Sequence, residues 1–163
     1  MIKFLIMDVD GTLTDGKIYM GNQGELMKAF DVKDGCGIKD ILPQYGIVPI
    51  IITARESEIL KKRCAEIQIF NLHQGVREKF AKLLQIIEEY NAQHGTKYGL
   101  EHCAYIGDDI LDLQCMMPIK EKGGVVGCPM DAVLKVRNIS DFISAYKGGE
   151  GAVRDFIEWL VEE

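Results

Sequence analysis

Short apolar runs alternate along the chain with longer segments in which apolar residues recur every three or four positions. The short runs, rich in β-branched residues, predict strands at 2–7, 47–52, 69–73, 102–106, 124–126 and 142–143. The periodic segments predict helices at 38–45, 57–67, 80–95, 110–117 and 153–161. Strands that alternate with helices are typical of βαβ units. The pattern therefore predicts an α/β fold with a doubly wound, mostly parallel sheet.

The early part of the chain departs from this alternation. Segment 17–30 carries the turn-forming residues Gly21–Gly24 between two short stretches with apolar residues, which predicts a β-hairpin flap. Asp34–Gly37 follows and predicts a break in the chain before the helix at 38–45. At 163 residues the chain is expected to form one domain with its own core, and the flap is too short to be a second domain.

Composition narrows the class of protein. With 47% hydrophobic and 27% charged residues, the chain is expected to be globular rather than disordered. The net charge of −6 and the lack of a basic stripe argue against nucleic acid as a partner. The five cysteines have no metal-ligand spacing, and we interpret them as buried small hydrophobic residues. Their odd number, the lack of a leader and the lack of an apolar run near the roughly 20 residues that cross a bilayer predict a cytoplasmic protein with no membrane partner.

Polar residues follow the predicted strands at the points where the strands end. They are Asp8 and Asp10 after the first strand, Thr53 after the second, Lys79 in a later loop, and Asp108, Asp109 and Asp112 after the fourth. Taken singly, each has an ordinary explanation as a turn residue, a helix cap or a solvated side chain. Because ligands bind outside the carboxyl ends of the strands in open α/β sheets, their joint placement predicts a site at that edge.

The acids in this set suit phosphoryl transfer through an aspartyl phosphate. An ionised Asp8 can attack phosphorus, and Asp10 can protonate the leaving alkoxide and then take a proton from water. A divalent cation would offset the repulsion between carboxylate and phosphate, and oxygen-only ligands favour magnesium. Asp108 can supply a further ligand, and Asp112, one helical turn later, can orient metal-bound water.

Residues with donor groups complete the predicted site. Thr53 and Lys79 can hold the equatorial phosphate oxygens with a hydroxyl and a fixed positive charge. Arg55 can bind a substrate carboxylate in a bidentate manner, although ordinary surface pairing would also explain it. For Arg63, in the middle of a predicted helix, we prefer surface pairing.

The motifs that carry these residues resemble those of the haloacid dehalogenase-like phosphatases. In chain order the motifs are Asp8–Thr12, Thr53, Lys79 and Gly107–Asp112. The resemblance implies a Rossmann-like fold and a magnesium cofactor. It implies that Asp8 is the nucleophile and a metal ligand, and that Asp10 is the acid/base and binds the metal through its backbone carbonyl. Asp108 would be a metal ligand as well, with Asp109 and Asp112 in support.

A further set of residues is similar to a capless subfamily that acts on 3-deoxy-D-manno-octulosonate 8-phosphate or on sialic-acid-type nonulosonate 9-phosphates. The set comprises Asp34–Ile38, Thr53–Arg55, Arg63–Ala65, Gln74–Gly75, Lys79 and Gly148–Arg154. This resemblance implies that Thr53, Ala54, Arg55 and Lys79 bind the phosphate or the substrate. It also implies a homotetramer in which the hairpins at 17–30 assemble centrally and each protomer helps to close a neighbour's site.

The glycine-rich tail segment 147–152 is expected from the same resemblance to be flexible and to fold over an active site, with Glu150 or Arg154 near the substrate or an interface. Ala54 replaces the glycine usual between Thr53 and Arg55. Arg55 favours the octulosonate as substrate, whereas Glu150, which stands where many octulosonate phosphatases have arginine, favours the nonulosonate.

The sequence therefore predicts a magnesium-dependent phosphatase of lipopolysaccharide biosynthesis, which hydrolyses 3-deoxy-D-manno-octulosonate 8-phosphate to the free sugar acid and inorganic phosphate. A nonulosonate 9-phosphate phosphatase is the alternative with the same chemistry. A non-catalytic oligomerisation partner of a sugar-acid cytidylyltransferase is the alternative of another class, and the intact set of acids argues against it. Four hairpin residues would form an exposed apolar patch in a monomer, which predicts an interface unless they pack in the core: Tyr19, Met20, Met27 and Phe30.

Overall fold

The strands form two sheets in the computed structural model, which describes residues 1–162. The strands are β1 (Phe4–Met7), β2 (Tyr19–Gly21), β3 (Gly24–Met27), β4 (Val48–Ile52), β5 (Asn71–His73), β6 (Cys103–Ile106), β7 (Val125–Cys128) and β8 (Phe142–Ile143). Six of them form a parallel sheet in the order β5-β4-β1-β6-β7-β8. The hairpin of β2 and β3 is a separate antiparallel sheet. The predicted doubly wound parallel sheet and the flap are both confirmed.

Helices cover both faces of the parallel sheet. They are α1 (Val32–Cys36), α2 (Glu58–Glu66), α3 (Lys79–His94), α4 (Leu113–Glu121), α5 (Leu134–Arg137) and α6 (Ala152–Glu162). Short 3-10 or π turns lie at Gly37–Ile41, Leu42–Tyr45, Leu100–His102 and Ile110–Asp112. Within residues 1–162, no helix has both the length and the apolar character that crossing a membrane requires.

The central strand β1 is fully buried and contributes to the core on both sides. Leu5 and Met7 pack on one face with residues of α2 and α6. Phe4 and Ile6 pack on the other face with residues of α3 and α4, because side-chain direction alternates along a strand. Since the faces are covered by helices, polar side chains that follow the strands emerge at the carboxyl edge of the sheet.

The predicted break at Asp34–Gly37 is wrong, because these residues are helical. Helix α1 spans Val32–Cys36 and continues into the following turn. A Cβ atom on Gly35 would lie 2.4 Å from Arg63 Nη2, and one on Gly37 would lie 3.1 Å from Ile157 Cδ1. These glycines therefore let α1 and the turn after it pack closely against α2 and α6, which outweighs the low helix propensity of glycine.

The hairpin prediction needs one correction. Met20 and Met27 are 63% and 49% exposed, and Leu26 of the same hairpin is 68% exposed. Tyr19 is only half-buried, however, and Phe30 packs against the hydrophobic core. Ile18, just before β2, is 39% exposed as well. On the two hairpin strands, the exposed apolar residues are Met20, Leu26 and Met27, which we call the apolar hairpin patch.

The cysteines also depart from the prediction at one position. Four of them are buried and unpaired, as predicted: Cys64, Cys103, Cys115 and Cys128. Cys36 is exposed, because it lies on the side of α1 that does not pack against the core. Helix α5, with only four residues, is too short to leave a periodic signal and was not predicted.

Candidate active site

A cavity of about 450 Å³ lies at the carboxyl edge of the parallel sheet. Its lining comprises Asp8, Asp10, Thr53, Ala54, Arg55, Arg77, Lys79, Asp109, Ile110, Leu111 and Asp112. The structure thus brings nearly all of the predicted site residues around one space. Asp108 lies just beside this lining, with a carboxylate oxygen within 4.8 Å of those of Asp8 and Asp112.

Lys79 joins two carboxylates beneath the cavity. It is the first residue of α3 rather than a loop residue, and it is 1% exposed. Its Nζ lies 2.8 Å from Asp8 Oδ1 and 2.8 Å from Asp112 Oδ1. Burial disfavours its charge, but the two carboxylates outweigh burial and raise the pKa of Lys79. Lys79 therefore stays charged and holds Asp8 in a fixed orientation.

Asp112 anchors the loop that follows β6 and does not face open solvent. Besides Lys79, it accepts a hydrogen bond from the Tyr105 hydroxyl at 2.7 Å. Its Oδ2 accepts from the backbone N–H groups of Asp108 and Asp109 at 3.0 and 3.1 Å. A carboxylate with four donors is stable as an anion in the interior. The geometry gives Asp112 a holding function, and Asp109 caps the following turn through its own carboxylate, which accepts from Ile110 N–H.

Two buried acids, Asp8 and Asp112, and the half-buried Asp108 create an excess of negative charge at one point. Oxygens of Asp8, Asp108 and Asp112 all lie within 4.8 Å of one another. Burial, followed by repulsion from Asp112, raises the pKa of Asp8 to about 6 even with Lys79 beside it. Burial and repulsion from the other two acids raise the pKa of Asp108 to about 8. This donor set fits a hard divalent cation with oxygen ligands, which would favour the ionised form of both acids.

The loop after β1, which carries Asp8 and Asp10, packs closely against the Asp108 carboxylate. Gly11 has φ of +95°, and a Cβ atom there would lie 2.1 Å from Asp108 Oδ2. The hydroxyl of Thr12 donates to Asp108 Oδ1 at 2.9 Å. Glycine is required at this position both for its backbone conformation and for the close approach of the Asp108 carboxylate.

Asp10 is held by groups on the flap and on the loop after β4. Its Oδ1 lies 2.6 Å from Lys28 Nζ, and its Oδ2 lies 3.8 Å from Arg55 Nε. The guanidinium of Arg55 also reaches Glu25 at 3.5 Å. Asp8 and Asp10 therefore line one cavity but have separate cationic partners.

Thr53 and Ala54 form the wall of the cavity at the end of β4. Thr53 is 2% exposed, its backbone N–H donates to the His73 carbonyl, and its own carbonyl accepts from Val76 N–H. These bonds fix the loop that positions the Thr53 hydroxyl. Thr53 and Ala54 thus line the cavity from a fixed loop.

Several site residues were not identified from the sequence. Arg77 lines the cavity. Its position two residues before Lys79 is the feature of the sequence that could have identified it as a site residue. Thr12 belongs to the motif Asp8–Thr12, but its hydrogen bond is to Asp108, which lies 96 residues further along the chain. No sequence motif marks Glu25 and Lys28 as site residues, because the contacts from Lys28 to Asp10 and Glu25 form only in the folded protein.

The glycine-rich tail packs on the loop after β1, and none of its residues lines the cavity. A Cβ atom on Gly148 would lie 1.9 Å from the Gly11 carbonyl oxygen, and Gly149 N–H donates to the Thr12 carbonyl at 3.2 Å. Glu150 and Arg154 line a separate pocket of about 330 Å³. Neither residue lines the cavity at Asp8 within this chain.

A parallel sheet with this acid-rich site at its carboxyl edge, and no separate cap domain among residues 1–162, defines the class of haloacid dehalogenase-like hydrolases. No family model matches the chain. The chain is 38% identical over 160 residues to the 3-deoxy-D-manno-octulosonate 8-phosphate phosphatases KdsC of Salmonella typhi and of Escherichia coli K12, a match that covers 98% of this chain and 79% of each relative.

Solved structures agree with these relatives. The crystal structure of 3-deoxy-D-manno-octulosonate 8-phosphate phosphatase from Moraxella catarrhalis, in complex with magnesium, phosphate and KDO, matches with a TM-score of 0.87 and 36% identity, over 99% of this chain and 86% of that one. The cobalt-bound phosphatase from Haemophilus influenzae matches with a TM-score of 0.83 and 35% identity, over 99% and 88% of the two chains. The chain belongs to the family of 3-deoxy-D-manno-octulosonate 8-phosphate phosphatases.

Proposed function

We propose that this protein is a magnesium-dependent phosphatase that hydrolyses 3-deoxy-D-manno-octulosonate 8-phosphate to the free sugar acid and inorganic phosphate. The observation that carries the proposal is the carboxylate of Asp8, held 2.8 Å from buried Lys79 at a cavity that Asp10 also lines. The family supports the substrate, since relatives over nearly the whole chain bear that name.

In the first half of the reaction, an oxygen of ionised Asp8 attacks phosphorus and forms an aspartyl phosphate. The bond between phosphorus and the bridging oxygen of the sugar breaks, and that oxygen takes a proton from Asp10. Lys79 keeps Asp8 aligned for the attack. The free sugar acid then leaves the cavity.

In the second half, Asp10 is ionised and takes a proton from water. The water oxygen attacks phosphorus, the bond to the Asp8 oxygen breaks, and inorganic phosphate is released. Asp8 returns to its carboxylate form and Asp10 to its acid form. The same pair of residues is thus restored for another cycle.

The remaining site residues hold the phosphate. The Thr53 hydroxyl and the Lys79 ammonium would bind its equatorial oxygens. Asp8, the backbone carbonyl of Asp10 and Asp108 would hold magnesium, which supplies positive charge that offsets the repulsion between nucleophile and phosphate. Carboxylate oxygens of Asp8 and Asp108 lie within 4.8 Å of each other, and a cation held there would favour the ionised form of both acids.

Two guanidinium groups favour a sugar acid as substrate. Arg55 and Arg77 both line the cavity, and a guanidinium holds a carboxylate through two parallel hydrogen bonds. Glu150, the residue that favours a nine-carbon acid, lines a different pocket of this chain. We therefore place the octulosonate phosphate ahead of the nonulosonate phosphate.

The proposal extends to assembly and location. The apolar hairpin patch of Met20, Leu26 and Met27 is a surface that a second copy would cover, which supports a homotetramer centred on the hairpins. A cytoplasmic place agrees with four buried cysteines that have no disulfide partner. The alternative of a non-catalytic oligomerisation partner would need neither a buried Lys79 nor three clustered acids.

The test compares kcat/KM for 3-deoxy-D-manno-octulosonate 8-phosphate and for a nonulosonate 9-phosphate, with magnesium present. We expect the octulosonate phosphate to be preferred at least about tenfold, and chelation to stop turnover. Asp8→Asn should lower kcat on the order of 1,000-fold or more, whereas Asp40→Asn, at an exposed position, should leave it unchanged. A preference for the nine-carbon substrate would support the first alternative. No turnover of either substrate would support the oligomerisation partner.

A further inference from the structure

Lys28 is a buried cation next to the acid/base residue. It follows β3 on the flap, and its side chain is 3% exposed. Its Nζ lies 2.6 Å from Asp10 Oδ1 and 3.1 Å from Glu25 Oε2. A lysine that gives up its hydration to contact two carboxylates adopts a defined position, because an unpaired ammonium would be costly there.

Glu25 fixes the other side of this lysine. Its Oε1 accepts from the hydroxyl of Ser57, the residue that caps α2, and its Oε2 faces Lys28 and Arg55. Partial burial disfavours the charge of Glu25, but the bonds from Ser57 and Lys28 and the charges of Lys28 and Arg55 outweigh it and lower the pKa of Glu25. The flap is therefore tied to the body of the protein by an anion that stays ionised.

These contacts decide where the Asp10 carboxylate points. Asp10 lies in the loop beyond β1, and its carboxylate is 2.6 Å from Lys28 but 3.8 Å from the more exposed Arg55. A general acid contributes only when its carboxyl group is within hydrogen-bond reach of the leaving oxygen. Lys28 is thus the main side-chain contact that holds Asp10 at the cavity, and it comes from the flap.

We propose that Lys28 is a positioning residue for the acid/base Asp10, with Glu25 and Ser57 holding Lys28 in place. The proposal rests on the proposed phosphatase function. It makes the flap part of the catalytic machinery within one chain, because proton transfer depends on a flap side chain. If Lys28 only stabilises the hairpin, its replacement should lower the rates of both substrates described below to the same extent.

The test uses two substrates that differ in their need for an acid. The leaving alkoxide of 3-deoxy-D-manno-octulosonate 8-phosphate must be protonated, whereas p-nitrophenolate from p-nitrophenyl phosphate leaves as a stable anion. In single-turnover experiments with magnesium, Lys28→Met should slow phosphoryl transfer from the sugar phosphate roughly 100-fold. The first turnover of p-nitrophenyl phosphate should slow by less than about threefold, and the concentration that gives half of the maximal single-turnover rate should change little for both substrates.

Three further variants complete the design. Lys28→Arg should recover at least about tenfold of the loss on the sugar phosphate, because it restores a cation beside Asp10. The double variant Asp10→Asn/Lys28→Met should be no more than about twofold slower than Asp10→Asn alone, since Lys28 acts through Asp10. Lys17→Met, which removes an exposed lysine of the same segment, should match the wild type.

Several outcomes would overturn the proposal. Equal losses on both substrates, additive losses in the double variant, or no recovery in Lys28→Arg would each assign Lys28 to the structure of the flap alone. If Lys28→Met does not fold, Glu25→Gln decides by the same comparison, with a selective loss on the sugar phosphate as the supporting result. Wild-type protein that turns over neither substrate would instead overturn the proposed function, and the positioning role with it.

Discussion

A single ammonium group organises the catalytic end of the molecule. The Lys79 ammonium contacts the carboxylates of both Asp8 and Asp112. The Asp112 carboxylate in turn accepts from two backbone N–H groups of the loop after β6. Removing one member of a buried ionic group leaves an unpaired charge that costs about 3–5 kcal/mol. Asp8, Lys79 and the loop after β6, to which we assign the nucleophile, phosphate binding and metal binding in our proposal, therefore form one connected unit at the residue scale.

Gly11 offers a test of this close packing. Gly11→Ala would place a Cβ atom 2.1 Å from Asp108 Oδ2, at a backbone φ of +95°. We expect it to displace Asp108, to weaken magnesium binding at least about tenfold and to lower kcat/KM at least about 100-fold. Titration calorimetry with magnesium and steady-state kinetics measure both effects.

Gly24→Ala is the matched control for this prediction. Gly24 has φ of +113°, but a Cβ atom there would meet nothing within 4 Å. It should cost about 1–2 kcal/mol of backbone strain and leave magnesium affinity unchanged. If both variants lose magnesium affinity alike, backbone strain rather than contact with Asp108 is the cause.

At the scale of elements, a buried carboxylate connects α1 and α6. Asp34 Oδ1 accepts from the backbone N–H of Arg154 at 2.8 Å, while its Oδ2 is buried and has no hydrogen-bond partner in the described part of the chain. Burial, and to a smaller degree repulsion from Asp31, raises the pKa of Asp34 to about 7. Because burial between these helices disfavours the charge, the folded state is more stable when Asp34 carries a proton.

The stability of this contact should depend on pH. Because the pKa of Asp34 is higher in the folded state than in the unfolded state, the folded state binds the proton more tightly, and stability falls as pH rises toward 7. Between pH 5.5 and pH 8, the Asp34 contribution to the free energy of unfolding should fall by about 2 kcal/mol. Urea unfolding of the metal-free wild type and of Asp34→Asn at the two pH values measures it.

Asp8 and Asp108 also have raised pKa values, and they contribute to the pH dependence of stability in the wild type and in Asp34→Asn alike. The difference in pH dependence between these two proteins therefore reports Asp34. Asp34→Asn should flatten the pH dependence by that amount. Asp40→Asn, at an exposed position nearby in the chain, should retain the wild-type dependence. An unchanged slope in Asp34→Asn would show that Asp34 is ionised throughout this range.

At the scale of the whole molecule, the proposed homotetramer depends on the apolar hairpin patch. Leu26→Glu places a charge at the most exposed residue of that patch, so we expect the proposed tetramer to dissociate by at least one step. Size-exclusion chromatography with light scattering measures the mass. Leu134→Glu on α5 is the control, since both leucines are 68% exposed. Dissociation in the control alone would place the interface at α5, and a tetramer in both variants would exclude the hairpin.

The order of strands and helices could be read from the sequence, since buried strands need continuous apolar residues and covering helices need an apolar stripe. The helical conformation of Asp34–Gly37 could not be predicted from the sequence. Gly35 and Gly37 have low helix propensity, and they are helical here because α2 and α6 pack closely against them. Helix α5 was missed for its short length.

The sequence by itself determined which chemistry the chain carries: acids, a threonine and a lysine follow the strands, and parallel strands end at one edge. Only the tertiary structure decided which of these side chains contact one another. It placed Asp112 among four donors, and it set Lys28 of the flap between Asp10 and Glu25. The physical reason is that a charge pair between distant segments depends on distance and burial in the folded molecule, and neither leaves a periodic trace along the chain.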